Sequence, residues 1–171
     1  MAVPRRHKSI PGTYFVTSRT WESRQLFVFE PMCLLFFETL LLHRKRGAYS
    51  LHGCVLMPDH FHILLTPSET YSLERTVQLI KGGSAHAMGV ERRLQFPVWQ
   101  RGFSDHRIRD PDDFSNHLRY IDQNPLRKGL VGHPREYRWS SATGLYTMDP
   151  IPQGLKPVEK VAMLGTAKAV P

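Results

Sequence analysis

An α+β domain built on an antiparallel sheet is what this 171-residue sequence predicts, and three features predict it. Runs of β-branched and aromatic residues bounded by turn residues mark strands. Segments with apolar residues at helical spacing alternate with them. Two of the strand runs are joined by Met57-Pro58-Asp59 alone, a tight connection that makes them a hairpin.

The elements run in order. Pro11-Gly12 is a turn signal, and Thr13 to Ser18 reads as the first strand. Pro31 to about Arg46 reads as a helix, with proline in its first turn, Arg44-Lys45-Arg46 at its C-terminal dipole and Gly47 as stop. Tyr49–Leu56 and His60–Thr66 are the second and third strands. Ser72 is a helix N-cap with Glu74 in the first turn. Leu73, Val77 and Ile80 give that helix its apolar face, Gly82-Gly83 is expected to interrupt it, and it resumes to about Arg93. Val98 to Arg109 reads as a fourth strand, bent near Gly102. Asp110 caps a last helix, with Pro111 at its first position and Asp112 and Asp113 in its first turn. It is expected to run to about Gln123, because the residue before Pro125 is disfavoured in helical geometry. The first six elements match the βαββαβ order of a ferredoxin-like fold, an antiparallel sheet with helices on one face, and the seventh adds a C-terminal helix. Composition shifts after Tyr146. Residues 1–147 are therefore expected to form one domain and 148–171 a tail, with a linker from Asp149 to Gly154, a short helix from Val158 to Leu164 and a frayed end.

Hydrophobic residues make up 41% of the chain, enough for one compact core, and the formal net charge is +8. That balance favours a polyanionic partner, nucleic acid first and an anionic membrane surface second. Cys33 and Cys54 lack the spacing of a zinc knuckle or redox pair and read as reduced, buried thiols. The basic N-terminus is followed by no apolar signal core, and the run from Met32 to Leu42 is broken by Glu38 and too short to cross a bilayer. The expectation is a cytoplasmic protein with no membrane attachment, nucleoid-associated when holding DNA.

Candidate chemistry centres on His60-Phe61-His62. Strand alternation puts both imidazoles on one face, where neutral rings can share a divalent ion. On the last helix Phe114, Leu118 and Ile121 form the stripe expected to face the sheet, while His117, Tyr120 and Asn124 form the adjacent one. If that helix lies beside the histidine strand, Asn124 can lend a carbonyl oxygen to the same ion and Tyr120 can aim its phenol at what the ion holds. A phenol activated in this way is a nucleophile for phosphorus. A histidine pair can also be a polar strand edge, the tyrosine a packing residue and Asn124 a helix C-terminal residue; His117 receives no role.

These residues meet a known family. Leu56 to His62, Trp99 to Phe103 and Tyr120 to Val131, with Arg5-Arg6 and Pro11 to Thr17, together resemble the REP-associated tyrosine transposases, and His60-Phe61-His62 resembles the HUH motif of single-strand DNA nucleases. The resemblance spans residues from about 4 to 146. It implies a single catalytic tyrosine, Tyr120, with metal ligands His60, His62 and, in third position, Asn124 for Mg²⁺ or Mn²⁺. It implies cleavage and rejoining of single-stranded DNA beside hairpins of repetitive extragenic palindromes, with a short guide tetranucleotide nearby, through a 5′-phosphotyrosine. It also implies a monomer, although insertion-sequence relatives are dimers. A DNA path is expected along Arg5, Arg6, Lys8, Arg101, His106, Arg107, Arg109, Arg127 and Lys128. His106, Arg107 and Arg109 equally fit the solvated face of an edge strand, and Arg127 and Lys128 fit ordinary exposed charges. The competing readings are a non-catalytic nucleic-acid-binding module, for which no aromatic-rich recognition motif is present, and a small-substrate metallohydrolase, for which Ile63, Leu64 and Leu65 offer no further ligand.

Overall fold

A computed structural model describes residues 10–94 and 97–155. It contains β1 (Tyr14–Arg19), α1 (Glu30–Lys45), β2 (Tyr49–Met57), β3 (His60–Pro67), α2 (Leu73–Arg92), β4 (Ser104–Arg107) and α3 (Pro111–Arg127), with short 3-10 turns between and after them. The sheet order is β2-β3-β1-β4 and every neighbouring pair is antiparallel, as the predicted element order requires. Arg5, Arg6, Lys8 and the segment expected as a short helix from Val158 to Leu164 lie outside the described residues.

α1 and α2 cover one face of the sheet. Phe36, Leu40, Leu73, Val77 and Ile80 pack there on Val16, Leu51, Leu56, Phe61, Ile63 and Leu65, and Cys33 and Cys54 are buried free thiols in the same layer. α3 covers the opposite face, where Phe114 and Ile121 pack with Val55, Met57 and Leu64. Alternation lets β2 serve both layers, and a bulge shifts its register between Leu51 and Gly53. The extra residue re-aims the side chains beyond it, so Gly53 faces α3. A Cβ there would sit 2.6 Å from Leu118 Cδ1, so a side chain at this position would force Leu118 to shift.

Three boundaries differ from the sequence reading. α2 runs unbroken through Gly82-Gly83. The pair is a packing surface, since a Cβ on Gly83 would lie 2.8 Å from Thr39 Cγ2 of α1. The expected strand from Val98 to Arg109 is reduced to the four residues of β4. Trp99 makes a single bridge to Thr20, its indole is buried beside Phe27, Phe36 and Phe61, and it donates to Ser84 Oγ at 3.1 Å. Gly102, at φ +71°, then turns the chain into β4. α3 extends past Gln123 to Arg127 with Pro125 inside it. Proline forfeits one hydrogen bond near the helix end, but Lys128 N–H still reaches the Asn124 carbonyl and Leu130 N–H the Pro125 carbonyl.

The stretch after α3 covers the outer edge of β2, which would otherwise expose unpaired backbone groups. Trp139 accepts from Leu56 N–H, and Tyr137 Oη donates to the Leu56 carbonyl. The boundary expected at 147/148 is not a break in packing. Asp149 N–H donates to the Leu51 carbonyl, and its carboxylate accepts from Leu51 N–H and, at 2.7 and 2.8 Å, from the Arg44 guanidinium. Met148 and Ile151 are packed against the two core layers.

The Arg44 hydrogen bond holds the Asp149 carboxyl below its ordinary range, against the effect of burial. A depressed carboxyl stabilises the fold above its unfolded pKa of about 3.9 and loses that contribution as pH falls through the folded value. Asp149→Ala is therefore expected to cost about 1–2 kcal/mol at pH 7, discounted for partial exposure, and the difference from the parent shrinks as urea unfolding is repeated from pH 4 downward.

Candidate active site

Strand alternation brings Phe15 and Thr17 of β1, His60 and His62 of β3 and His106 of β4 onto the sheet face that α3 covers. The register pairs Thr17 with His62 and Phe15 with His106. Because Phe114 and Ile121 anchor α3 to this face, its neighbouring stripe lies over those side chains. Tyr120 stands edge-on to His62 with ring centroids 5.2 Å apart, and the His60 and His62 rings are 4.8 Å apart. Asn124, one turn further along α3, is buried at 4% exposure, whereas Tyr120 keeps 38% of its surface in solvent. The helix thus lies beside the histidine strand, as the site requires.

The ring nitrogens are individually held. His60 Nδ1 lies 2.5 Å from Asp59 Oδ1 and donates to it, since an ionised carboxylate only accepts. His62 Nδ1 is 2.7 Å from Thr17 Oγ1. Burial lowers the pKa of both histidines, that of His62 to about 3, so both rings are neutral at physiological pH. Four buried side-chain polar atoms lack a hydrogen-bond partner among the described residues, and two of them are His62 Nε2 and Asn124 Oδ1. An unsatisfied buried group costs about 1–3 kcal/mol. An amide oxygen and neutral imidazoles with free nitrogens form a donor set for a divalent cation, so the residues fit the ion the sequence reading implies.

Basic candidates divide by position. The Arg127 guanidinium carbon lies 5.7 Å from the Tyr120 ring centroid. Lys128 lines a hollow of about 220 Å³ with Arg19, Asp59 and His60. Arg101 borders another, of about 280 Å³, with Thr17 and Arg19. Arg107 lies on the opposite face of β4 from His106 and donates to the Pro11 carbonyl. Arg109 is exposed and 3.6 Å from Asp113. Thr17, Asp59, Phe15 and Asp113 were not anticipated as organising groups. Asp59 adjoins His60 in sequence, and Asp113 stands at i, i+4 from His117; these were the available signals.

His106, Asp113 and His117 form a second group with metal-ligand chemistry, their ligand atoms within 4.8 Å of one another. They are already joined by hydrogen bonds. His106 Nε2 is 2.8 Å from Asp113 Oδ2, and His117 Nδ1 is 2.9 Å from the Asp113 carbonyl and 3.0 Å from Oδ1. A ring nitrogen that close to two oxygen acceptors carries a proton, which a metal would have to displace. Burial raises the Asp113 carboxyl, but the His106 bond, the Arg109 amide and both imidazoles together hold it below its usual range.

The sequence profile of the IS200-like transposases matches residues 22–124, and the chain belongs to that family. Within it, this chain is 27% identical over 155 residues to the REP-associated tyrosine transposase of Escherichia coli K12, covering 87% of this chain and 90% of that protein. A Haemophilus influenzae relative, assigned provisionally to the same group by its name, is 34% identical over 98 residues, 52% of this chain and 55% of that protein. A solved structure of a REP-associated tyrosine transposase bound to a REP hairpin shares the fold, with a TM-score of 0.69 at 24% identity over 92% of this chain and 99% of that one. The resemblance read from the sequence motifs is borne out. No helix among the described residues is long and apolar enough to cross a membrane.

If the Asn124 amide oxygen is held for a ligand and not for the fold, Asn124→Leu should leave the metal-free protein at least as stable as the parent. Urea unfolding in a chelator checks this; a loss of more than about 1 kcal/mol would assign the amide a structural bond.

Proposed function

We propose that this protein is a metal-dependent single-stranded DNA endonuclease and strand transferase of the HUH type, acting at REP-type hairpins through a covalent 5′-phosphotyrosine on Tyr120. One observation carries the reading: an accessible tyrosine stands 5.2 Å, ring to ring, from a buried histidine whose Nε2, like Asn124 Oδ1, has no protein partner among the described residues.

His60, His62 and Asn124 would hold Mg²⁺ or Mn²⁺, with Asp59 and Thr17 orienting the two rings. When bound, the ion supplies charge that polarises a non-bridging phosphate oxygen. The chain supplies the rest. α3 holds Tyr120 for in-line attack; the Tyr120 Oη–phosphorus bond forms, the phosphorus–O3′ bond breaks, the phenol proton passes to solvent, and the leaving O3′ takes a proton from solvent to become a 3′-hydroxyl. Arg127 beside the Tyr120 ring and Lys128 beside His60 offer positive charge to the flanking phosphates. Reversal by an incoming 3′-hydroxyl rejoins the strand without a nucleotide cofactor. Arg101 extends the basic path, His106 and Arg109 border it, and Arg5, Arg6 and Lys8 are proposed DNA contacts from the sequence alone. The proposal takes Tyr120 and both histidines from one chain, a monomer acting in cis. Work on DNA fits the cytoplasm and nucleoid.

Tyr120→Phe is expected to abolish cleavage of a labelled REP-type hairpin with Mn²⁺ on a denaturing gel while hairpin binding persists; a covalent adduct in that variant would remove Tyr120 from the mechanism. Mn²⁺ at a hundred times its Kd should stabilise the parent by about 2.7 kcal/mol, or about 5–10 °C in Tm for a chain of this size. His62→Ala should lose that shift, and an undiminished shift would move the ion elsewhere.

A further inference from the structure

A third hollow, of about 270 Å³, opens beside Tyr120 and is lined by Phe15, Asn116, His117 and Tyr120. We propose that it is a nucleobase site, receiving the base next to the scissile phosphate and reading it through Asn116. The inference rests on the cleavage chemistry proposed for Tyr120, and the sequence reading left both Asn116 and His117 without a role.

The lining chemistry fits a base and not a phosphate. Three of the four residues present aromatic rings, none carries a fixed charge, and Asn116 adds an amide that both donates and accepts. The volume falls below the roughly 300–1,000 Å³ of small-ligand pockets, which suits one planar ring system. Stacking on such walls is how single strands are held, because every base has a π-face.

The walls are also ordered in advance. Asp113 fixes His117 through its Nδ1–H and fixes His106 through Nε2. His106 stacks behind His117 with centroids 4.7 Å apart and planes 18° apart. Phe15 lies 4.7 Å from His117 on one side and stacks on His62 at 5.2 Å on the other. The bridged group of two imidazoles and a carboxylate thus stiffens one wall, so little ordering is left for the moment of binding. The hollow's location points the same way. Tyr120 is both a wall of the hollow and the nucleophile, so a strand whose phosphate meets its hydroxyl passes the neighbouring nucleotide over the hollow.

The test uses the full chain in the Tyr120→Phe background, which keeps the aromatic wall and cannot cleave. The probe is a REP-type hairpin with single-stranded flanks, in Mn²⁺, carrying 2-aminopurine or an abasic site at each flank position in turn. One position is expected to lose fluorescence on binding, and an abasic site there to weaken binding by about 5- to 150-fold, the range of one base-aromatic stack. Phe15→Leu, which keeps apolar volume, should remove that quenching and cost little more once the base is gone. Asn116→Ala, at an exposed helix position, should relax base preference at that position alone. Equal effects of Phe15→Leu with and without the base, or unchanged preference in Asn116→Ala, would overturn the base site. If the Tyr120 protein fails to cleave but the coupling persists, the base site stands and the nuclease reading falls. If it cleaves without coupling at any position, the reverse holds. A protein that binds no hairpin DNA overturns both.

Discussion

The contact of α3 with Gly53 is the constraint on which the candidate site depends. The strand offers no side chain at Gly53, and Leu118 Cδ1 occupies the volume a Cβ would take. The bulge one residue earlier is what aims that glycine at α3. Without the extra residue, the alternation that sends Leu51 toward α1 and α2 would send Gly53 the same way. Val55 and Met57 would then leave the layer that seats Phe114 and Ile121. A register irregularity in an edge strand thus fixes the height and rotation of the helix that carries Tyr120.

Two opposed requirements meet beneath that helix. Close packing of α3 removes water from His62 and Asn124, which keeps the imidazole neutral but leaves two polar atoms without partners among the described residues. The neighbouring bonds do not relieve this; Thr17 engages the other nitrogen of His62, and Asp59 does the same for His60. The arrangement lowers stability locally while holding free lone pairs at fixed positions, the trade expected where a fold serves a ligand and not only itself.

Much of this was legible in the sequence because it depends on local periodicity. The alternation around Phe61 put His60 and His62 on one face, and the 3.6-residue spacing put Tyr120 and Asn124 on one stripe; both hold in three dimensions. What was misread depends on partners distant in sequence. Gly82-Gly83 looks like a breaker until Thr39 of α1 is seen against it, and the stretch around Trp99 looks like strand until its indole is found in the aromatic core. Pro125 signals a helix end, yet the later bonds from Lys128 and Leu130 carry the helix over it. Arg107 fits a DNA contact or a solvated edge strand equally by composition; the register of β4 places it on the face away from His106 and His117. Thr17 could not be assigned to His62 without the register of β1 on β3.

Placing the candidate nucleophile and the third candidate ligand one turn apart on a single helix has a structural consequence. Any displacement of α3 moves Tyr120 and Asn124 together, so their mutual geometry is set by the helix, and only their distance from β3 depends on packing. That distance is secured by Ile121, fully buried between them in sequence, and by Phe114 two turns earlier. The segment after α3 returns to pair with β2, tying both ends of the helix to the same sheet. Phenol and imidazole meet within the one chain. A helix so fixed at both ends favours entry to the candidate site from the exposed side of Tyr120 rather than by movement of α3.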